Sequence, residues 1–188
     1  MKKHIVVLTR RNLAIKKRLS RLPRNCKVPI RGPRPPISLR YAVWSLISST
    51  LGILAIYEIT MLFGHPLLIG SFGASAVLLF GSTESPLAQP RNLVGGHIIS
   101  AIVAVTVVAL IGSSPFAMAA GVGISIFLMN VTHTTHPPGG ATTLIGIQGA
   151  VGPGFILFPV LSGVLILLLV AILTNNFALH RSYPKHWF

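Results

Sequence analysis

Acidic residues are almost missing from this chain. Asp and Glu together number 2 in 188 residues, against 16 Lys and Arg, so the formal net charge is +14. Charged residues make up only 10% of the chain, whereas an average soluble domain contains about one-quarter. So few charges cannot build a water-facing surface, which argues against an ordinary soluble enzyme. The single cysteine, Cys26, argues against an intrachain disulfide framework and a cysteine-rich metal site.

The few charges are unevenly placed. Residues 1–40 hold 13 of the 16 basic residues, whereas residues 41–175 contain only Glu58, Glu84 and Arg91 as charged residues. A basic segment before an apolar body is typical of a membrane domain whose arm stays in the cytoplasm. We therefore predict a flexible basic cytoplasmic arm over residues 1–40, a transmembrane domain over 41–178 and a basic cytoplasmic tail over 179–188.

The basic arm leaves two locations open. We expect the inner membrane of a bacterium, with both termini in the cytoplasm. The alternative is a plastid membrane, because an arm rich in Arg and free of acidic residues also resembles a transit peptide. Nucleic acid is not an expected partner, since the arm lacks interleaved aromatic residues and leads into an apolar body.

Apolar runs long enough to cross a bilayer dominate the body. A crossing of about 30 Å needs roughly 20 helical residues at ~1.5 Å each. Four long transmembrane helices are predicted, at residues 41–63, 93–112, 116–132 and 155–174. Two shorter Gly-rich runs, at 66–82 and 139–151, predict short helices that either cross the membrane or re-enter it. The fold class is therefore an all-α polytopic membrane protein.

The two halves of the body resemble each other. His65-Pro66 is followed by Gly73-Ala74-Ser75, and His136-Pro137 is followed by Gly140-Ala141-Thr142. Each half reads as a long helix, a short helix and a second long helix, which predicts an internal duplication. Re-entrant short helices would give four crossings and parallel repeats, whereas crossing ones would give six crossings and inverted repeats. In transporters built from repeats, the site lies at the interrupted helices.

The densest polar run of the apolar body is HTTHPPGGATT, at residues 133–143. Together with GSFGASAVLLFG at 70–81 and PLAQPRN at 86–92, it resembles the HPP family of integral membrane proteins, over residues ~38–178. The resemblance implies four membrane-spanning helices. It also implies transport of a small anion, since members from photosynthetic cells have been linked to nitrite transport.

The same run predicts an anion site by its own chemistry. Pro137 and Pro138 break regular helix, and the end of the helix that follows carries about half a positive charge. Gly139 and Gly140 let the backbone approach a ligand closely, and hydroxyl groups add donors. The predicted substrate-binding residues are His133, His136, Gly139, Gly140, Thr142, Thr143, Gly73, Ser75 and Arg91. For the glycines, tight helix packing is the competing interpretation.

Ionisable side chains within the apolar runs are candidates for a proton relay. These are Glu58, His65 and His97, because a charge at membrane depth is costly and usually functional. A zinc site is not expected, since no thiolate accompanies the imidazoles. Two carboxylates leave little for an acid–base enzyme, so no enzyme and no cofactor are predicted.

The function predicted is transport of a small inorganic anion, nitrite or nitrate being the best candidates. The alternative is a membrane sensor or assembly domain without transport. Besides the lipid bilayer and the anion, the expected partner is a second copy of the chain, because one small unit rarely encloses a path alone.

Overall fold

The computed structural model describes residues 38–62, 64, 69–178 and 181–187. The predictions for residues 1–37 and for His65 fall outside these residues. From Ser38 onward the chain forms one compact unit.

Helices make up the ordered framework, and the described part of the chain contains no strand. The α-helices are α1 Leu39–Leu62, α2 Gly70–Gly81, α3 Pro90–Ile111, α4 Pro115–Val131, α5 Pro137–Gln148 and α6 Ser162–Phe177. A 3₁₀ turn, Pro86–Ala88, precedes α3, and a π-helical segment, Ile156–Leu161, leads into α6. Helices α3, α4 and α5 begin at proline, which is favoured there because the first amides of a helix have no helical acceptor.

The prediction of four long spans is wrong for its third member. Among the residues that the structure describes, three helices are long and apolar enough to cross a membrane: Leu39–Leu62, Pro90–Ile111 and Ile156–Phe177. Helix α4 has 17 residues, which is ~26 Å and less than a hydrocarbon core of about 30 Å. Pro115 fixes its start, and His133, with φ of 54°, has already left the helical conformation. Helices α2 and α5 have 12 residues each, where the sequence predicts short helices.

Successive helices run in alternating directions. Trp44 Nε1 near the start of α1 donates to the Thr174 carbonyl near the end of α6, at 3.0 Å. Asn175 Nδ2 donates to the Leu79 carbonyl near the end of α2, also at 3.0 Å. The starts of α3 and α5 and the end of α4 meet at this same end of the bundle, through contacts described below. We call it the charged end, because Glu84, Arg91, Arg181 and Lys185 lie there.

The helices pack as two groups of three. The first group is α1, α2 and α6, and the second is α3, α4 and α5. In the first group α1 packs on α6, and in the second group α4 packs on α3. Each group also contains one of the two 12-residue helices, α2 in the first and α5 in the second. Each half of the chain thus contributes its third helix to the other group. The apolar core of the first group centres on Ile56, Phe72, Leu79, Phe80 and Leu167, and that of the second on Val103, Ala104, Val107, Ala117 and Ile147.

Arg181 binds the first group together at the charged end. Its side chain is buried, and its Nη1 donates to the Phe80 carbonyl at 2.9 Å and to Asn175 Oδ1 at 3.0 Å. Its Nη2 donates to the Tyr41 carbonyl at 2.7 Å and to Ser45 Oγ at 2.8 Å. The guanidinium also stacks on the Tyr41 ring, 3.7 Å from the ring centre. One side chain therefore connects α1, α2 and α6.

The residues after Arg181 pack against the loop before α3. The Tyr183 hydroxyl is buried and donates to the Ala88 carbonyl at 2.7 Å, and burial raises the pKa of this phenol. Lys185 forms an exposed ion pair with Glu84, at 2.9 Å. The sequence predicts only a basic tail here, whereas the structure places two of its side chains inside the protein.

Arg181→Ala is expected to lower the free energy of unfolding by about 2–4 kcal/mol, because the buried Phe80 carbonyl and the partly buried Tyr41 carbonyl lose their charged donor. Thermal unfolding of the purified protein in detergent measures this change. Lys185→Ala is the control and should cost no more than about 1 kcal/mol, since its ion pair is exposed. Equal losses in the two variants would contradict a fold held by Arg181.

Candidate functional site

Four buried side chains from three helices and a loop form a continuous hydrogen-bonded string. Ser75 Oγ of α2 lies 2.8 Å from His97 Nε2 of α3 and 2.9 Å from His136 Nε2. The other nitrogen of His97, Nδ1, lies 2.8 Å from Thr142 Oγ1 of α5. All four side chains are 0% exposed. We call these residues the polar cluster.

Two further groups terminate the polar cluster. At one end, His136 Nδ1 lies 2.8 Å from the Leu87 carbonyl. At the other end, Thr142 Oγ1 donates to Ser71 Oγ at 2.9 Å and lies 3.4 Å from the Pro138 carbonyl. Because a carbonyl only accepts, Nδ1 of His136 carries a hydrogen. The tautomer of this imidazole is therefore fixed by the backbone of the loop before α3.

Local sequence explains how these side chains meet. Ser71 and Ser75 are four residues apart, so they share one face of α2. The predicted duplication aligns Ser75 with Thr142, and the structure places these two hydroxyls on the two nitrogens of His97. One imidazole therefore joins the short helix of one half of the chain to the short helix of the other.

Glycines on α3 and α5 bring the histidines to this position. A Cβ atom on Gly96 would lie 2.5 Å from the Cβ of His136, and one on Gly139 would lie 2.7 Å from Ser100 Oγ and 2.9 Å from the Gly96 carbonyl. Gly139 therefore serves the close packing of α5 on α3. This is the competing interpretation that the sequence left open for the predicted glycines.

Thr143 lies on a neighbouring face of α5 and binds elsewhere. Its Oγ1 is 2.6 Å from Ser125 Oγ of α4 and 3.2 Å from the Ser100 carbonyl of α3. All of these groups are buried. Thr143 therefore links the three helices of the second group, one residue away from the polar cluster.

The two remaining predicted glycines lie away from the polar cluster. A Cβ on Gly140 would meet only Val122 Cγ1 of α4, at 4.0 Å. Gly73 is exposed and has nothing within 4 Å of such a Cβ. It lines an open cleft of about 750 Å³ between α1 and α2, on the opposite face of α2 from Ser75.

The predicted charged residues are exposed. Arg91 donates from Nη2 to the Thr132 carbonyl at 2.9 Å, which ties the start of α3 to the end of α4. His133 is exposed at the charged end, and Glu58 is exposed on α1. Of the three predicted relay residues, the structure brings His97 into the polar cluster, leaves Glu58 outside it and does not describe His65.

The start of α5 offers few amide donors to an anion. Pro137 and Pro138 have no N–H group, and the Gly139 N–H donates to the His136 carbonyl at 2.8 Å. Anion binding through the amides of this helix end stays a prediction, but it has fewer donors than the sequence argument assumes. The imidazole and hydroxyl groups of the polar cluster are the stronger donors here.

Sequence reasoning missed Ser71 and the Leu87 carbonyl. Ser71 was detectable, because it precedes Ser75 by one helical turn within the same motif. The carbonyl was not, since the position of the loop before α3 follows from tertiary packing. Among the described residues, no three His, Cys, Asp or Glu side chains are grouped to hold a metal ion.

The fold and the buried polar cluster define an all-helical membrane protein. The chain belongs to the family described as HPP, transmembrane region, whose sequence model matches residues 34–184.

Two similar proteins come from Dictyostelium discoideum, and each is described only as a transmembrane protein. One is 47% identical over 167 residues, which cover 82% of this chain and 59% of the relative. The other is 44% identical over 170 residues, which cover 83% and 55%. The chain thus spans less than two-thirds of the length of these relatives. No solved structure matches the chain.

Gly96→Ala is expected to destabilise the protein by about 1–3 kcal/mol, because the added methyl group overlaps His136 and the Thr134 carbonyl. Gly123→Ala in α4 is the matched control, since its Cβ would meet nothing within 4 Å. It should be neutral or stabilising by up to about 1 kcal/mol. Thermal unfolding in detergent compares the two variants, and an unaffected Gly96→Ala protein would disprove the close contact of α3 with His136.

Proposed function

We propose that this protein transports a small inorganic anion across a membrane, with nitrite or nitrate as the best candidates, and that the anion binds at the polar cluster. The observation that carries the proposal is the bonding of both nitrogens of His97 and of His136 within a fully buried string. Buried ionisable groups between apolar helices are costly and mark the paths of ions and protons.

The charge of the site favours an anion. A protonated imidazole in the polar cluster would be positive, and the chain has only two acidic side chains to balance it. Glu58 is exposed on α1, and Glu84 pairs with Lys185 at the charged end. The cluster therefore has no internal counter-ion. Its hydroxyl and N–H donors would bind a small oxoanion with several acceptor oxygens by exchanging bonds within the string for bonds to the anion.

The helix directions support six passages of the chain over four, although only three of the described helices are long enough to cross a membrane by themselves. Six alternating helices return the chain to its starting side and place Arg91 at the same end as the start of α1. With three crossings in each half, the two halves are inverted repeats, as in many transporters. The positive-inside rule assigns the charged end to the cytoplasm.

The proposal assigns a side of the membrane to each end of the bundle, but it names no particular membrane. The Dictyostelium relatives give no support to a bacterial inner membrane, so the proposal specifies the side and not the compartment.

Only 17% of the most apolar stretch of α1 is buried, compared with 39% for the other two long helices. Among the three long helices, α1 therefore has the largest exposed share to offer to lipid or to a second copy of the chain.

His97→Gln is expected to reduce anion flux by about 10- to 100-fold, because the variant loses a hydrogen bond to a charged group and the charge itself. The measurement is uptake of ¹⁵N-nitrate and ¹⁵N-nitrite into proteoliposomes, per correctly inserted molecule. His186→Gln, an exposed site in the C-terminal segment, is the matched control and should transport normally.

Wild-type protein that carries no anion from a broad panel would overturn the transport proposal. Stable association of that silent protein with one soluble partner would favour the sensor or assembly alternative instead.

The topology is tested with single cysteines in a Cys26→Ser background. Cysteines at Ser20 and Lys185 should react from the cytoplasmic side, and a cysteine at Ser113, in the exposed turn between α3 and α4, should react from the opposite side. The test uses a membrane-impermeant maleimide on intact cells or sealed vesicles. Labelling of all three from one side would contradict six crossings.

A further inference from the structure

The hydrogen bonds of the polar cluster need a fixed number of N–H and O–H hydrogens, and this number can be compared with what the side chains supply. Four bonds link the Leu87 carbonyl, His136, Ser75, His97 and Thr142 in order, and each needs one hydrogen. Two neutral imidazoles supply two hydrogens, and the Ser75 hydroxyl supplies a third. The fourth must come either from the Thr142 hydroxyl or from an added proton.

The neutral cluster uses the hydroxyl of Thr142. The Leu87 carbonyl requires N–H at Nδ1 of His136, so Nε2 of that ring accepts from Ser75. Ser75 then accepts from Nε2–H of His97, which leaves Nδ1 of His97 as an acceptor. The Thr142 hydroxyl must point to this nitrogen, and it has no hydrogen left for Ser71.

The heavy atoms around Thr142 also suit a second bond, in which its hydroxyl donates to a neighbouring serine. Thr142 Oγ1 donates to Ser71 Oγ, at 2.9 Å. With its hydrogen directed there, the bond to His97 persists only if Nδ1 of His97 carries a hydrogen. His97 would then have hydrogens on both nitrogens, and the cluster would hold one extra proton. Rotation of one hydroxyl therefore separates two fully bonded states.

We infer that the polar cluster binds one proton with each anion, by turning the Thr142 hydroxyl from His97 to Ser71, so that the loaded site is electrically neutral. This inference rests on the proposed transport function and adds its coupling ion. The proton comes from water on one side of the membrane and resides on the His97 imidazole. No covalent bond other than N–H is formed or broken.

A second proton does not fit. It would make both rings imidazolium, with their Nε2–H groups directed at Ser75 and their centres 5.0 Å apart. In the described part of the chain, Ser75 Oγ bonds only these two rings, so its own hydrogen would lose its acceptor. Two adjacent positive charges would also repel each other in a medium of low dielectric constant.

Within the described residues, no other ionisable group packs against the polar cluster to compete for the proton. Helices α2, α4, α5 and α6 and the π-helical segment contain no ionisable side chain. Arg91 on α3 is exposed and bound to the Thr132 carbonyl, and His133 in the loop before α5 is exposed. Tyr183, packed beside the loop before α3, donates to Ala88. The one positive charge is therefore balanced by a monovalent anion, which makes transport electroneutral.

The test separates a pH gradient from a membrane potential. Proteoliposomes containing the full chain receive ¹⁵N-nitrate, with the potential clamped by potassium and valinomycin. Protein-free liposomes provide the background, and they are essential for nitrite because nitrous acid permeates lipid. A gradient of one pH unit should drive about tenfold accumulation at zero potential. A potential alone should drive none.

Different results would overturn the one-proton coupling and the transport function. Flux driven by the potential, without a response to pH, would overturn the one-proton coupling and keep the transport function. Accumulation that grows with the square of the proton gradient would also overturn it, because it requires two protons. Absence of flux for every anion would overturn the transport function and, with it, the coupling.

Ser71→Ala tests the rotating hydroxyl. It removes the acceptor that Thr142 uses in the protonated state, and it leaves the four bonds of the neutral state intact. The pH midpoint of transport should therefore fall by about half to one unit. Ser49→Ala is the matched control, since Ser49 Oγ donates only to the Leu46 carbonyl in its own helix. An unshifted midpoint in Ser71→Ala would overturn the switch.

Proton binding is also measurable without transport. NMR of the detergent-solubilised protein, labelled with ¹⁵N-histidine, counts the hydrogens on each ring, with His97→Gln and His136→Gln providing assignments. One proton should bind to the His97–His136 pair as pH falls while the protein stays folded. Two protons on the pair, or none, would overturn the inference.

Discussion

The side chains of the polar cluster must bond one another, because no charged side chain of the surrounding helices reaches them and the chain has almost no carboxylates. Serine and threonine hydroxyls meet this constraint, together with two imidazoles and backbone carbonyls. Ser75 bonds both rings, and each ring uses its second nitrogen to reach a different element. The positions of α2, α3 and α5 follow from satisfying this one string of bonds.

Small residues make that string geometrically possible. Gly96 and Gly139 remove the side chains that would hold α5 away from α3, so His136 and Thr142 reach the depth of His97. The short helices are equally important. At 12 residues each, they carry Ser71, Ser75 and Thr142 into contact with His97. The close packing at the glycines is therefore a condition for the hydrogen bonds of the polar cluster.

The sequence predicted the helices better than the contacts. Long apolar runs located α1, α3 and α6, and the Gly-rich motifs located α2 and α5, because these signals are local. The predicted bounds of α4 were within one residue of the observed ones, but a helix of 17 residues is too short to count as a long span. The polar runs pointed to Ser75, His136 and Thr142, which the structure brings together with His97.

The contacts of other residues depend on which face of a helix carries them and on how the helices pack in the folded chain. Gly140 is next to Gly139 in the sequence, yet a Cβ there would meet α4 and not α3. Arg181 gave no signal at all, because a lone arginine near the end of a basic chain reads as solvated. Its burial depends on four acceptors from three helices that only the folded chain brings together. The amino-acid sequence does not contain the contacts on which the role of such residues depends.

The place of the polar cluster between the two helix groups has a mechanical consequence. Ser71 and Ser75 belong to the first group, whereas His97, His136 and Thr142 belong to the second, so each bond from a serine crosses the seam between them. Arg181 clamps the three helices of the first group at one end, and glycine contacts hold α3 to α5 in the second. A rocking motion of one group against the other would leave these attachments intact and separate the serines from the imidazoles. The bonds proposed to bind the proton are therefore also the ones that would break when the two groups move apart.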